Sequence, residues 1–164
     1  MQSTKYIYAL ALLSLLVSSS AWAIDYTKGH GALQIFDSEG MRLAPTWVKI
    51  WVGFMALSFV SGLLFVKQHS IARWLVGGFV FGFILTSIAP LFNIVVLSGL
   101  IALIHIVCWS PGLYRLLSSR PFLTGEQKQT AFSIWCGVIT LVIVFSFVFD
   151  IRDSAIYLGH IFGS

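Results

Sequence analysis

Charged side chains are scarce in this sequence. Of its 164 residues only 10% are Asp, Glu, Lys or Arg, whereas 58% are hydrophobic; an ordinary globular domain carries about 25% charged residues. A soluble chain of this length has too small a core to bury so much apolar surface. We therefore predict an all-α integral membrane protein, with the lipid bilayer as its first partner. The ten basic residues are scattered between apolar runs, so the net charge of +4 does not point to nucleic acid as a partner.

Cysteine and catalytic motifs are equally scarce. The two cysteines, Cys108 and Cys136, are too few for a disulfide framework. The sequence contains no nucleophile elbow, P-loop, HExxH or CxxC motif. The longest predicted soluble segment, residues 24–46, has 23 residues, which is too short for an enzyme domain. These absences favour a protein that is not an enzyme.

The N-terminus has the pattern of a secretory signal peptide over residues 1–23. Lys5 provides a positive charge, residues 6–17 are apolar, and the small residues Ala21 and Ala23 suit a cleavage site. Residues 24–46 then form an extracytoplasmic segment. The alternative is an uncleaved anchor, which gives five membrane helices instead of four. Both alternatives place the following residues on the far side of the membrane.

The apolar runs predict a four-helix transmembrane bundle, with spans at about 47–66, 74–89, 92–109 and 131–149. Residues 74–109 contain no Asp, Glu, Lys or Arg. As one helix they would measure about 54 Å, far more than a hydrocarbon core of about 30 Å. We therefore divide this run at Pro90, where a helix is expected to end.

The segments that flank this transmembrane domain, residues 47–149, have their own patterns. Residues 33–43 predict a small hairpin with its turn at Asp37 to Gly40. Residues 150–164 repeat apolar side chains at helical spacing, which predicts a separate short helix in the outer interface. With the signal segment leading, we place both mature termini outside the cytoplasm, in a bacterial inner membrane.

Tryptophan positions and basic residues bear on the span limits and the orientation. Five of the six tryptophans lie at predicted span ends, as an interfacial belt requires: Trp47, Trp51, Trp74, Trp109 and Trp135. The two predicted cytoplasmic loops carry five basic residues and the outside regions carry four. The count agrees with the positive-inside rule by a narrow margin.

Small residues in two spans predict close helix packing. Gly78 and Gly82 form a GxxxG motif that Thr86 continues, and Ser58 and Gly62 repeat the spacing in the first span. Small side chains let helix backbones approach closely in lipid. We interpret these stripes as packing within one bundle. A seam for self-association is the alternative.

His105 is the one ionisable side chain deep inside a predicted span, in its cytoplasmic half. Such groups are costly in lipid and suggest a function. Cys108 lies three residues further on, and Cys136 lies at a similar predicted depth, so the three side chains are candidate ligands for zinc or copper. The alternative is a neutral histidine with two cysteines that act as small apolar residues. Haem would need His69 as a second axial ligand; no cofactor is the simpler expectation.

Three classes of function remain open. We favour a non-enzymatic accessory, assembly or interaction subunit of an inner-membrane complex, whose partners are other membrane subunits or further copies of the chain. The alternative is a metal- or haem-binding redox or sensing protein centred on His105. A small oligomeric transporter is less favoured, because Asp150 is predicted at the outer end of the last span and an ion path needs a carboxylate nearer the midplane.

Overall fold

The fold, taken from a computed structural model, is all-helical: 81% of it is helix, and the residues described, 31–121 and 130–163, include no strand. The signal-peptide prediction for residues 1–23 lies outside the described residues. The α-helices run as follows: α1 Ser38–Leu43, α2 Thr46–Ser61, α3 Ser70–Ile88, α4 Ser98–Ser119 and α5 Ala131–Phe162.

Four helices are long and apolar enough to cross a membrane, within the part of the chain that the structure describes. They comprise Thr46–Leu64, Ser70–Phe92, Ser98–Ser119 and Ala131–Phe162. The predicted number of such helices is confirmed. α4 lies between α3 and α5, and α2 packs mainly against α5.

The connection between α3 and α4 differs from the prediction. α3 ends at Ile88, and a 3₁₀ turn follows at Ala89–Phe92. The predicted break at Pro90 is correct. Asn93 then adopts a left-handed conformation with φ 58°, which ends the turn and suits asparagine. α4 begins only at Ser98, so the predicted start at residue 92 is wrong.

Residues 31–44, here called the cap segment, explain why α4 starts late. Residues 32–36 lie antiparallel to residues 96–99, and Ile35 and Leu97 form an isolated bridge. The backbone N–H of Phe36 donates to the carbonyl of Val96 at 2.8 Å. Val96 and Leu97 are therefore paired with a distant part of the chain, and the helix begins only after them.

The predicted hairpin over residues 33–43 is wrong. Asp37 instead caps α1, because its side chain accepts a hydrogen bond from the N–H of Gly40 at 2.7 Å. An Asp at this position satisfies a free amide of the first helical turn. The strand-like residues before it pair with the start of α4 rather than with residues further along the cap segment.

α4 and α5 are both longer than predicted. Pro111 lies inside α4 without ending it, and the helix continues to Ser119. α5 runs unbroken for 32 residues, about 48 Å at 1.5 Å per residue. The predicted boundary at residue 149 between a span and a separate interfacial helix is therefore wrong, because residues 131–162 form one helix.

Two of the predicted belt tryptophans belong to the core. Trp109 is 1% exposed and packs against Phe59, with ring centroids 4.7 Å apart. Trp135 is also buried, and its Nε1–H donates to the carbonyl of Ser58 at 2.9 Å. Trp109 is inside because α4 continues well past it. Trp47 and Trp74 are about half exposed, as an interfacial position requires.

The small-residue stripes face other helices of the same bundle. A Cβ on Gly78 would overlap the carbonyl oxygen of Cys108 in α4, and a Cβ on Gly82 would lie 3.3 Å from Ile104. Gly62 in the same way lies against Trp135 of α5, where an added Cβ would be 2.6 Å from the indole ring. Thr86 extends the α3 stripe but donates its hydroxyl to carbonyls of its own helix.

Candidate functional site

His105 lies toward the end of the bundle that the cap segment covers. α4 starts at Ser98, so His105 is seven residues, or about 10 Å, from that end. Most of the 22 residues of α4 lie on the far side of His105, toward Ser119. His105 thus lies in the half of α4 that is nearer the cap segment, whereas a helix that ended at Trp109 would place it near the opposite end.

The imidazole of His105 faces a carboxylate of α5. Its Nδ1 lies 3.4 Å from Oδ2 of Asp150, and the side chains are 23% and 14% exposed, respectively. The histidine ring also stacks on Trp109, with ring centroids 4.0 Å apart. Asp150 therefore lies within the bundle beside an ionisable partner, although it was predicted at the outer end of the last span.

The contact between His105 and Asp150 is an ion-pair distance rather than a formed hydrogen bond. Nδ1 and Oδ2 are both buried, and neither has a hydrogen-bond partner among the described residues. Leaving such atoms unsatisfied costs about 1–3 kcal/mol each, and more when the group is charged. The pair is thus a polar group that the bundle does not fully satisfy by itself.

Asp150 belongs to a polar stripe on α5. Ser146 and Ser154 lie one turn before and one turn after it and are both buried. The Ser146 hydroxyl donates to the sulfur of Met55 in α2 at 3.7 Å. The Ser154 hydroxyl, like Oδ2 of Asp150, has no hydrogen-bond partner among the described residues. A four-residue spacing puts all three on the face that α5 turns inward.

A cavity of about 200 Å³ between α2 and α5 opens onto this pair. Its walls are aromatic: Trp51 meets Phe145 edge-to-face at 4.5 Å, and Trp47 lies 6.5 Å from Phe149. The charged and polar members of the lining are His105, Ser146, Asp150, Arg152 and Asp153. We call this space the α2–α5 cavity.

A second cavity, of about 190 Å³, lies under the cap segment. It is lined by cap residues such as Phe36 and Met41 and by Ala102 of α4. Asp150 and Asp153 border both cavities. The two carboxylates therefore stand between the cap segment and the α2–α5 cavity.

The structure does not bring together the three predicted metal ligands. Cys108 faces α3, with its sulfur 3.8 Å from where a Cβ on Gly82 would lie. Cys136 is fully buried, and it precedes Asp150 by 14 residues on α5, about 21 Å along the helix. Within residues 31–121 and 130–163 no group of three or more His, Cys, Asp or Glu side chains is placed to hold a metal ion.

The predicted haem partner lies at the other end of the bundle. His69 stacks on Phe132, with ring centroids 3.6 Å apart. Phe132 and Asp150 are 18 residues apart on α5, about 27 Å. His69 and His105 therefore do not face each other across a site for bis-histidine ligation.

No known protein family, curated protein or solved structure matches the chain. The site is thus characterised by its own geometry. It offers a carboxylate, an imidazole and an aromatic cavity, which together suit binding and proton transfer. Sequence reasoning identified His105 but missed Asp150 as its partner, although the recurrence of polar residues at 146, 150 and 154 carried the signal.

Proposed function

We propose that the chain is a small multi-pass protein of the bacterial inner membrane that acts, without enzymatic chemistry of its own, as an accessory subunit of a membrane complex. The main support is a groove of about 610 Å³ between the cap segment and the α3–α4 connection. Apolar side chains of the cap segment and of the α3–α4 connection border it, together with Phe83 of α3. Ile35, for example, is 57% exposed. Such exposed apolar surface commonly marks an interaction site.

The composition of this groove favours a polypeptide over lipid as its occupant. Its rim is apolar, with Ile35, Phe36 and Val95, but it also contains Asp37 and Asn93. Acyl chains offer no hydrogen bonds to such groups, whereas a peptide backbone offers both donors and acceptors. We therefore take the occupant to be an apolar segment of a second membrane protein.

Photo-crosslinking in native membranes tests this proposal. A crosslinking amino acid at position 35 should capture a distinct partner, and one at position 33 should not, because Leu33 is also exposed on the cap segment but does not line the groove. Ile35→Lys should release the partner from the purified complex, and Leu33→Lys should retain it. A protein that migrates as an uncomplexed monomer from native membranes would contradict the proposal.

The orientation belongs to the same proposal: the cap segment and the C-terminus face the outside of the cytoplasm. The narrow excess of basic residues in the two predicted cytoplasmic loops supports it. A C-terminal alkaline phosphatase fusion should then be active, and a C-terminal green fluorescent protein fusion should be dark. The reverse pattern would invert the topology.

A transporter is the second candidate, and the pairing of His105 with Asp150 favours it. Transport is less favoured if Asp150 lies at the outer end of a span, but Asp150 contacts α4 and is followed by twelve more helical residues. Flux of protons or organic cations into liposomes that contain the purified chain would test this function. The redox alternative has less support, because the candidate ligands are far apart.

A further inference from the structure

We propose that the α2–α5 cavity is a binding site for a small organic ammonium ion. The ammonium group would bind the Asp150 carboxylate, and the apolar part of the ligand would lie against the aromatic side chains that line the cavity. The inference does not depend on the proposed partner, because the groove at the cap segment is a different surface with a different lining.

Aromatic side chains from both helices line the cavity. Trp51 and Phe145 contribute one pair of rings and Trp47 and Phe149 contribute another, so that each pair joins α2 to α5. Aromatic ring faces attract cations, and tryptophan does so most strongly. The same rings provide an apolar surface for a hydrocarbon body. This combination suits a cation with an organic part better than a hydrated inorganic ion.

Charged side chains also line the cavity. Asp150 and Asp153 contribute two carboxylates. The Arg152 guanidinium attracts the carboxylate of Asp153. The ionisable side chain that faces Asp150 is His105, whose Nδ1 is 3.4 Å away without a formed hydrogen bond. The carboxylates in the lining outnumber the guanidinium by one, and a ligand cation would take the place of the imidazole as the partner of Asp150.

The Asp150 carboxyl group specifies the kind of cation. Its side chain lines the cavity and is 14% exposed, so a ligand with N–H groups can donate hydrogen bonds to it. Hydrogen bonds to charged groups are the strong ones. The cavity of about 200 Å³ has room for a single-ring amine. Benzylammonium is a probe with these properties, and benzyl alcohol is its neutral counterpart of nearly the same shape.

Tryptophan fluorescence of the purified full-length chain in detergent micelles is the direct measurement, since Trp47 and Trp51 line the cavity. Benzylammonium should quench the emission in a saturable way. Benzyl alcohol should bind at least about tenfold more weakly, as expected when a charged hydrogen bond is lost. This comparison uses the unmodified protein, so it does not depend on the folding of any variant.

Three variants locate the site. Asp150→Asn should weaken benzylammonium binding about tenfold or more, whereas Asp153→Asn should have a smaller effect because Arg152 already balances Asp153. His105→Gln removes the imidazole that competes with the ligand for the Asp150 carboxylate, so this variant should bind benzylammonium at least as tightly as the wild type. Equal affinity for the amine and the alcohol, quenching that never saturates, or full binding by folded Asp150→Asn would each overturn the proposal.

Discussion

Replacing Gly78 by alanine should separate α3 from α4. The added Cβ would overlap the backbone carbonyl oxygen of Cys108, and it would lie 3.1 Å from the carbonyl carbon of the same residue and 3.6 Å from Trp109. A backbone atom cannot move aside by changing a rotamer, so the two helices must shift apart. Overpacking of this kind costs about 1–3 kcal/mol. We expect a value near the middle of that range, about 2 kcal/mol, because the overlap involves one methyl group.

Gly77 provides a matched control in the same turn of the same helix. A Cβ there meets nothing within 4 Å, so Gly77→Ala should be neutral or should stabilise the protein by up to about 1 kcal/mol through helix propensity. The assay is unfolding by increasing fractions of sodium dodecyl sulfate in mixed micelles, followed by tryptophan emission. Gly78→Ala should unfold at a clearly lower fraction than the wild type, and Gly77→Ala should not.

The same pair of variants decides between the two interpretations of the GxxxG stripe. If Gly78→Ala and Gly77→Ala unfold alike, the close approach of α3 to α4 is refuted. If Gly78→Ala leaves the unfolding curve unchanged but converts an oligomer into a monomer on a native gel, the stripe is a self-association seam. Loss of stability without a change of oligomeric state supports packing within the bundle.

Three further predictions follow from contacts elsewhere in the bundle. Gly99→Ala should destabilise the protein by about 1–3 kcal/mol in the same unfolding assay, because the new Cβ would lie 2.5 Å from Cβ of Tyr157; Gly159→Ala, which meets open space, should not. Trp135→Phe removes the donor to the Ser58 carbonyl and should cost at least about 1 kcal/mol, and an unchanged unfolding curve would count against that hydrogen bond. Fully buried Cys136 should resist maleimide labelling until the protein is denatured, and prompt labelling of the native protein would contradict its burial.

The number of helices could be predicted from the sequence because it follows from local composition. Residues 74–109 have no charged side chain and are too long for one span, and Pro90 marks the place where the chain must turn. Such features need no knowledge of the rest of the chain. The structure accordingly has four apolar helices long enough to cross a membrane among its described residues, and α3 ends just before Pro90.

The start of α4 could not be predicted in this way. Residues 92–97 are as apolar as the helix that follows, so hydropathy alone includes them in the span. Residues 96 and 97 stay outside the helix because the cap segment pairs with this stretch: the N–H of Phe36 donates to the carbonyl of Val96, and the carbonyl of Gln34 accepts from the N–H of Ser98. These partners are about sixty residues apart in sequence, and no periodicity in either segment identifies the pairing.

A tryptophan near a helix end is not by itself a marker of the membrane interface. The indole ring suits both a membrane interface and a helix–helix contact that offers its N–H an acceptor. Trp47 lies at the first turn of α2 and is half exposed, whereas Trp135 donates to the Ser58 carbonyl from inside the bundle. Distinguishing the two roles needs the position of the neighbouring helix, which span prediction does not provide.

The error in the predicted end of α4 also changed the functional interpretation of His105. Ending α4 at Trp109 placed His105 near the cytoplasmic face and drew attention to Cys108 and Cys136 as its neighbours. The true limits of the helix move it toward the cap segment, where the partner that can share a proton or a cation with it is Asp150. The chemistry changes with the partner, because an imidazole with two thiols suggests a soft metal, whereas an imidazole with a carboxylate suggests protons and ammonium ions. A polar stripe on an apolar helix must face another helix or water in a cavity. The spacing of Ser146, Asp150 and Ser154 is therefore the local pattern from which an inward carboxylate follows, and His105 is the one ionisable side chain on the neighbouring helix at the depth where they can meet.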